Sequence, residues 1–494
     1  DLHSFPTRRS SDLEPVIPLG DAYSSERRYA EAEAIYKRVQ EMAERASSDG
    51  SSHWFLSTAN TRGRLLAIYR DSGRYADAEP IMRQTLAEIE QEVADGKTPE
   101  FQALHSPLME LADLLVDMNK PNEAEPIIRR ALAMAEQADK NELFIDEVIG
   151  KDRLALGNLM FDANQFTEAE KHFRQAMQEA EQKDLNQKAS AYDSLARLLS
   201  ATNRPEEAEA LFQRAIALVE GPGDSRNLST ALSDYAGFLQ DRLRIDEAIH
   251  LHQRALALAE QSAGAQDNLE LISPLNNLAT ALEGKKDYAE AEQLLRRSLR
   301  IAENGLGPDH PRVATRLSNL GKVLVGDNRA TEAIPLLQRA VAIVEMSRPA
   351  DNTDLTHPLS GLAEAMLNTG RLAETEALLH RALAIEEKAY GPENPVTATT
   401  YVNIGLTRAM MGDWAGAVDF QRRALPSLTG RAGNAKVGSR LGLSKATLKG
   451  RAEPLRYFAS ALYHADPNGA HLDESLQAAQ WARQSEAGEA LEIG

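Results

Sequence analysis

The sequence predicts an all-α fold, a right-handed α-solenoid superhelix of about ten to eleven helix-turn-helix repeats. Three observations predict it. One motif returns ten times along the 494 residues. Each copy carries two apolar stripes at helical spacing, and turn-forming residues separate the stripes. Composition agrees: 43 % hydrophobic but only 5 % aromatic residues describe helices packed through Ala and Leu.

Residues 1–13, Asp-Leu-His-Ser-Phe-Pro-Thr-Arg-Arg-Ser-Ser-Asp-Leu, read as the conceptual translation of a short-read sequencing adapter. They are set apart from the fold, and the natural N-terminus is expected to be missing. The array itself spans 14–425. Its motif is Tyr-x-Glu-Ala-Glu, then two apolar residues, then Arg-Ala-Leu. The central small residue stands at Ala32, Ala78, Ala124, Ala169, Ala208, Ala248, Ala291, Ala333, Thr375 and Ala417, with spacings of 39 to 46.

In the copy around Ala291, Leu275, Leu278, Ala279 and Leu282 form one stripe, and Ala291, Leu294, Leu295 and Leu299 form a second. Breaks such as Ser72-Gly73, Asn203-Arg204-Pro205, Gly326-Asp327-Asn328 and Thr369-Gly370 supply the chemistry of a helix end between stripes. Longer polar connections lead to Pro311 and Pro395, where the missing N–H falls in a first helical turn. Pro107, Pro274 and Pro358 lie deeper in first helices, which are therefore expected to start late or kink. Residues 426–452 form a basic Gly/Ser-rich linker bearing Arg431, Lys436, Arg440, Lys445 and Lys449. Residues 453–494 hold one additional helix pair, 456–464 and 474–485, expected to be truncated at Gly494. A helix pair of this size cannot bury its stripes alone, so neighbours must stack.

These residues resemble the tetratricopeptide repeat family. Leu278, Ala279, Leu282, Tyr288, Ala291, Leu295 and Ser298 stand where that repeat has its packing residues, and the alanine before the last leucine recurs at Ala131, Ala176, Ala215, Ala255, Ala340, Ala382 and Ala424. The period near 42, with Gly307-Pro308-Asp309-His310-Pro311 ahead of a first helix, resembles the longer repeats of kinesin light chains and their bacterial relatives. Arg64, Glu110 and Ala155 depart from the usual Asn in the early copies. Residues 477–491 resemble the bridge that precedes a CHAT domain, a caspase-like fold whose family uses a His/Cys dyad.

Composition and motifs exclude several functions. The chain has no cysteine, hence no thiol nucleophile and no disulfide within it, and an excess of 74 acids over 55 bases disfavours nucleic acid. No apolar run is long enough to span a membrane as a helix. No phosphate-binding loop and no His-Glu-x-x-His occurs, so no cofactor and no metal are expected. His250 and His252, two apart, read as partly exposed helix residues. The Glu-x-Glu pairs read as acids favourable to the dipole of each second helix. Arg130, Arg214, Arg254, Arg297, Arg339, Arg381 and Arg423 are expected to pair with acids of the same or the adjacent repeat.

One position reads as functional. The residue before the leucine position of each first helix, filled by Tyr235 and Ile404 in two copies, is Pro18, Arg64, Glu110, Ala155, Ser194, Asp234, Asn277, Asn319, Gly361 and Asn403, mostly polar or small where core would require an apolar side chain. Asn offers a donor and an acceptor and pairs with an extended backbone. The family resemblance implies that Asn277, Asn319 and Asn403 hold peptide, with Ser194, Asp234 and Arg64 in the same column. The expected function is a non-catalytic scaffold that binds a peptide or protein partner in a concave groove. The alternative is the regulatory half of a CHAT peptidase whose catalytic domain follows Gly494. A cytoplasmic location is expected.

Overall fold

The computed structural model describes residues 16–26, 28–47, 53–97, 99–118, 120–138, 145–179, 185–221, 225–263, 268–347, 352–429, 452–466, 471, 473–480 and 482. Among them the structure is helical, without a strand. The helices are α1 (Val16–Ser25), α2 (Tyr29–Ser47), α3 (His53–Asp71), α4 (Tyr75–Ala94), α5 (Glu100–Asp117), α6 (Pro121–Gln137) and α7 (Ile145–Asp162). They continue as α8 (Phe166–Glu179), α9 (Leu185–Ala201), α10 (Pro205–Val219), α11 (Ser225–Asp241), α12 (Ile245–Ala263), α13 (Ile272–Gly284) and α14 (Tyr288–Leu306). The last are α15 (Pro311–Gly326), α16 (Ala330–Ser347), α17 (Thr356–Asn368), α18 (Leu372–Tyr390), α19 (Pro395–Met410), α20 (Trp414–Thr429) and α21 (Ala452–Ala465). Odd-numbered helices through α19 are the first helices of successive repeats. The chain is an all-α repeat solenoid. The basic segment 430–451 and residues 483–494 lie outside the described residues.

Two compact units divide the chain. The first comprises residues 1–135 with 306–311, and the second comprises 136–305 with 312–494. In the first unit, α2 packs on α1 and α3, and α4 on α5. There a Cβ added to Gly73 would come within 2.4 Å of the Pro311 ring, so this turn accepts only glycine. In the second unit, α7 packs on α8, α9 on α10, α11 on α12 and α17 on α18, each pair then packing on the next helix.

Small residues set these approaches. Each of the ten central positions, from Ala32 to Ala417, is buried to within 1 % of complete exclusion, Thr375 included. The alanines at 131, 176, 215, 255, 340, 382 and 424 are fully buried, and Ser298 at the equivalent place donates to the Ile272 carbonyl at 3.2 Å. A side chain no larger than a methyl or hydroxymethyl lets one helix sit directly against the next, and Leu275, Leu278, Leu282 and Leu295 close the remaining space.

The turns inside repeats share one device. Gly73, Asn164, Asn203, Leu243, Lys286, Asn328, Gly370 and Gly412 all take φ between 58° and 83°, two residues ahead of a second helix. The following N–H then returns to the first helix, as Arg74 to the Tyr69 carbonyl at 2.7 Å and Arg204 to Leu199 at 2.8 Å.

Two of the three proline-bearing first helices start late. α13 and α17 start late, behind the 3-10 turns Leu269–Leu271 and Thr353–Leu355, which leaves Pro274 and Pro358 in the first helical turn. α5 instead runs from Glu100 through Pro107 to Asp117. The preceding chain there supplies a full helical turn ahead of the proline, and the apolar face of Leu104, Leu108, Leu111 and Leu115 buries the element as one piece.

Two ionic ladders run from repeat to repeat. In the first, the arginines ahead of the packing alanines meet an acid of the preceding second helix: Arg130 with Glu90, Arg254 with Glu220, Arg297 with Glu260, Arg339 with Glu303 at 2.5 Å and Arg423 with Glu387 at 2.6 Å. The second ladder corrects the helix-dipole reading of Glu-x-Glu. The cation just before a second helix holds the first acid of its own helix and the second acid of the preceding repeat. Arg204 thus binds Glu207 and Glu170, Arg244 binds Glu247 and Glu209, and Arg329 binds Glu332 and Glu292. Only the first acid lies in the dipole's first turn; the second faces the neighbouring repeat. Burial opposes ionisation of Glu33, yet Arg74, Lys37 and Tyr69 hold its carboxyl down at about 2. Most of these pairs are partly solvated, so each contributes about 0–1 kcal/mol and the set chiefly fixes register.

Candidate functional site

The polar column sits on first helices, one residue ahead of a packed apolar side chain. Within the second unit it runs through Ser194 (α9), Asp234 (α11), Asn277 (α13), Asn319 (α15), Gly361 (α17) and Asn403 (α19). Asp234, Asn277, Asn319 and Asn403 are half-buried, whereas Ser194 is buried.

Neighbouring rungs touch through one recurrent contact, in which a column residue meets the residue just before the column on the preceding first helix. Asn319 donates its Nδ2 hydrogen to Oδ1 of Asn276 at 2.6 Å. At the same register Asp234 lies beside Asp193. Burial first, and the Asp234 charge second, raise the Asp193 carboxyl well above the usual carboxylate range. In the first unit the column behaves otherwise. Arg64 forms a two-pronged bond to Asp21, 2.6 and 3.0 Å, which also accepts from Tyr36 at 2.6 Å. The bond from Arg64 lowers the Asp21 carboxyl. Arg64 is thereby engaged inside its own unit.

Two clefts border the column in the second unit. One, of about 610 Å³, is lined by Phe161, Arg197, Asp234, His252, Asn276 and Asn277 among others. It brings Asp234 and Asn277 together. The second, of about 500 Å³, includes Ser318, Lys322, His357, Gly361, Glu364 and Asn403. Burial raises the Glu364 carboxyl there, Lys322 working against it, and burial lowers His357. Ser194 and Asn319 line neither cleft.

His252 overturns its expected partial exposure. It is 2 % exposed, its Nε2 bonds Gln240 Oε1 at 2.8 Å, and burial lowers its pKa to about 4. His250, two residues earlier, stays exposed. The pattern of alternate faces was legible, but which face met the next repeat depended on packing. Asp193 also escaped notice, although its place one residue before Ser194 and 41 before Asp234 is the register in which Asn276 faces Asn319. Among the described residues no group of three His, Asp or Glu side chains is placed to hold a metal, and no helix is long and apolar enough to cross a membrane.

Stacked helix pairs with a polar column on their first helices define a helical-repeat protein. The chain belongs to the tetratricopeptide repeat family, whose profile matches residues 152–221, 227–304, 270–346 and 354–429, more than half of its length, with a related profile at 19–45. Among solved structures, a Rap protein complexed with Competence and Sporulation Factor is 15 % identical over 76 % of this chain and 97 % of its own, with a TM-score of 0.50. The nearly identical TPR-like repeats of a kinesin-light-chain-type protein from Podosopora anserina are 20 % identical over 42 % of this chain and 99 % of theirs, TM-score 0.36. BtubC (BKLC) from P. vanneervenii is 19 % identical over 46 % of this chain and 91 % of its own, TM-score 0.40. At 15 % identity the likeness to the Rap protein is one of fold. No curated protein matches the chain in sequence.

Proposed function

We propose that the chain is a non-catalytic scaffold that binds a peptide or protein partner along the polar column of its first helices. The observation that carries this reading is the alternation of half-buried amides and carboxyls with two clefts of several hundred Å³. An Asn side chain presents both halves of a peptide bond's hydrogen-bond complement, and such rungs spaced by one repeat suit an extended backbone. Family membership supports the scaffold role, since tetratricopeptide repeats serve as interaction modules.

The test replaces Asn277, Asn319 and Asn403 together by Ala and compares partner recovery by pull-down and by peptide array, with circular dichroism to verify the fold. Lost recovery supports the groove, and undiminished recovery removes these residues as ligands. A second reading, the regulatory half of a CHAT peptidase, is favoured only by the likeness of residues 477–491. Reading the open frame past Gly494 for a domain with one His and one Cys decides it.

A further inference from the structure

The recurrent contact between neighbouring first helices is missing at one rung of the column. Asn319 reaches back to Asn276 on the preceding first helix, but Gly361 has no side chain with which to reach Ser318, the residue at that register on α15. Ser318 instead donates its hydroxyl to the Ala314 carbonyl of its own helix at 2.9 Å. The cleft of about 500 Å³ lies where that contact is absent, with Gly361 and Ser318 both in its wall. Its other buried residues are Ala363, Leu379 and Thr375, and the Thr375 hydroxyl is taken up by the Arg371 carbonyl at 3.0 Å. Leu367 and Leu406 stand half-buried beside them. A second observation comes from the groove face of α19. Three residues past the column, α9 to α17 carry Arg197, Gly237, Thr280, Lys322 and Glu364, whereas α19 carries Leu406. Seven past it, α11 and α17 carry Asp241 and Asn368, whereas α19 leaves Met410 53 % exposed. Residues at these spacings share one helix face, so Asn403 is followed by an apolar stripe.

We propose that this cleft receives a bulky apolar side chain of the peptide held in the groove, seated in the gap at Gly361 and against Leu367 and Leu406. The inference rests on the peptide reading of the groove and names the residue class it selects. The cleft falls within the range of about 300–1,000 Å³ typical of pockets that bury small organic groups. Its charged side chains do not call for an ion. Lys322 is paired with Glu283 at 3.0 Å, and burial favours the uncharged forms of Glu364 and His357. Asn403, also in the wall, offers its amide to the peptide backbone beside the seated side chain. Removing that side chain from water supplies the attraction, and the amide fixes its register.

Methyl-detected NMR of the full chain, labelled at its Leu and Met methyl groups, tests this. N-acetyl-leucinamide and N-acetyl-phenylalaninamide are the probes, and N-acetyl-asparaginamide is the control. The expected result is a saturable shift of the Leu406 and Met410 signals with the apolar probes alone. Gly361→Asn, which supplies the missing rung, is expected to weaken that binding roughly tenfold or more. A Cβ added at 361 stands 3.0 Å from the movable Leu337 Cδ2, so a small shift of that leucine accommodates it, and a melting curve verifies the fold. Leu406→Gln, at a half-buried position, is a second variant with the same expected loss, read at Leu367 and Met410. Equal shifts from the asparagine derivative, no saturable shift from either apolar probe, or undiminished binding by either folded variant would overturn the proposal. The two readings fail separately. Arrayed peptides that bind without preference for an apolar residue sink the pocket alone. Apolar probes that bind at Leu406 with no arrayed peptide bound sink the peptide reading alone.

Discussion

Leu243 occupies a left-handed turn position, φ 61°, that Asn or Gly fills in most other repeats. Its Cβ crowds the following carbonyl there, at about 1 kcal/mol. Leu243→Asn is expected to raise stability by about that amount in thermal melts, and a lower Tm would show that packing of the leucine outweighs the strain. Two buried titratable groups of the second unit, His252 and Asp193, act in opposite directions. His252 titrates near 4 in the folded chain against 6.5 when free. Below pH 6.5 the unfolded chain takes up a proton the folded one refuses, so stability is full above 6.5 and falls progressively toward pH 4, by roughly 3 kcal/mol. His252→Gln should flatten the Tm profile over that range. Asp193, raised, contributes stability that is complete below its free value of 3.8 and is lost as pH rises through its folded value. Asp193→Asn should therefore melt higher than the parent chain at pH 8, and an unchanged Tm would show that ionising Asp193 costs the fold nothing.

Glycine reports how closely helices within a repeat approach. A Cβ on Gly157 of α7 would stand 2.5 Å from the Phe173 ring of α8, and one on Gly321 of α15 would stand 2.6 Å from Leu337 of α16. Alanine is the better helix former by about 1 kcal/mol, yet overpacking here costs about 1–3 kcal/mol. Gly157→Ala is thus expected to lower the urea midpoint. Gly63→Ala on α3, where nothing lies within 4 Å, should raise it. Opposite signs for one substitution type measure packing apart from propensity. The prolines carry a related lesson: Pro274 and Pro358 set helix starts, while Pro107 is carried inside α5 by the turn ahead of it.

A solenoid is held by neighbours, and both ionic ladders link one repeat to the next. Damage should stay local. Ala291→Asp, which puts a charge at a fully buried contact of α14, is expected to strip hydrogen-exchange protection from α12 to α15 while α19 and α20 keep theirs. Loss throughout the second unit would show that it unfolds as one cooperative block. Some of the 74 acids are paired within these ladders, where Glu170, Glu209 and Glu292 each meet an arginine of the following repeat, and the net charge of −19 stays with the chain.

The amino-acid sequence by itself determined the repeat, its period, the small residues at each contact and the turn chemistry, because a periodic motif states the same local physics ten times over. It also placed the polar column on first helices. The contacts each rung makes inside the chain were decided by tertiary structure: Arg64 bonds Asp21, Asn319 bonds Asn276, Ser194 is buried, and Asp234 and Asn277 line one cleft. Asp193 and His252 were hidden for the same reason. A residue's partner across a repeat boundary depends on how far one helix pair rotates against the next. That rotation is set by the summed packing of many small contacts, which no single motif spells out.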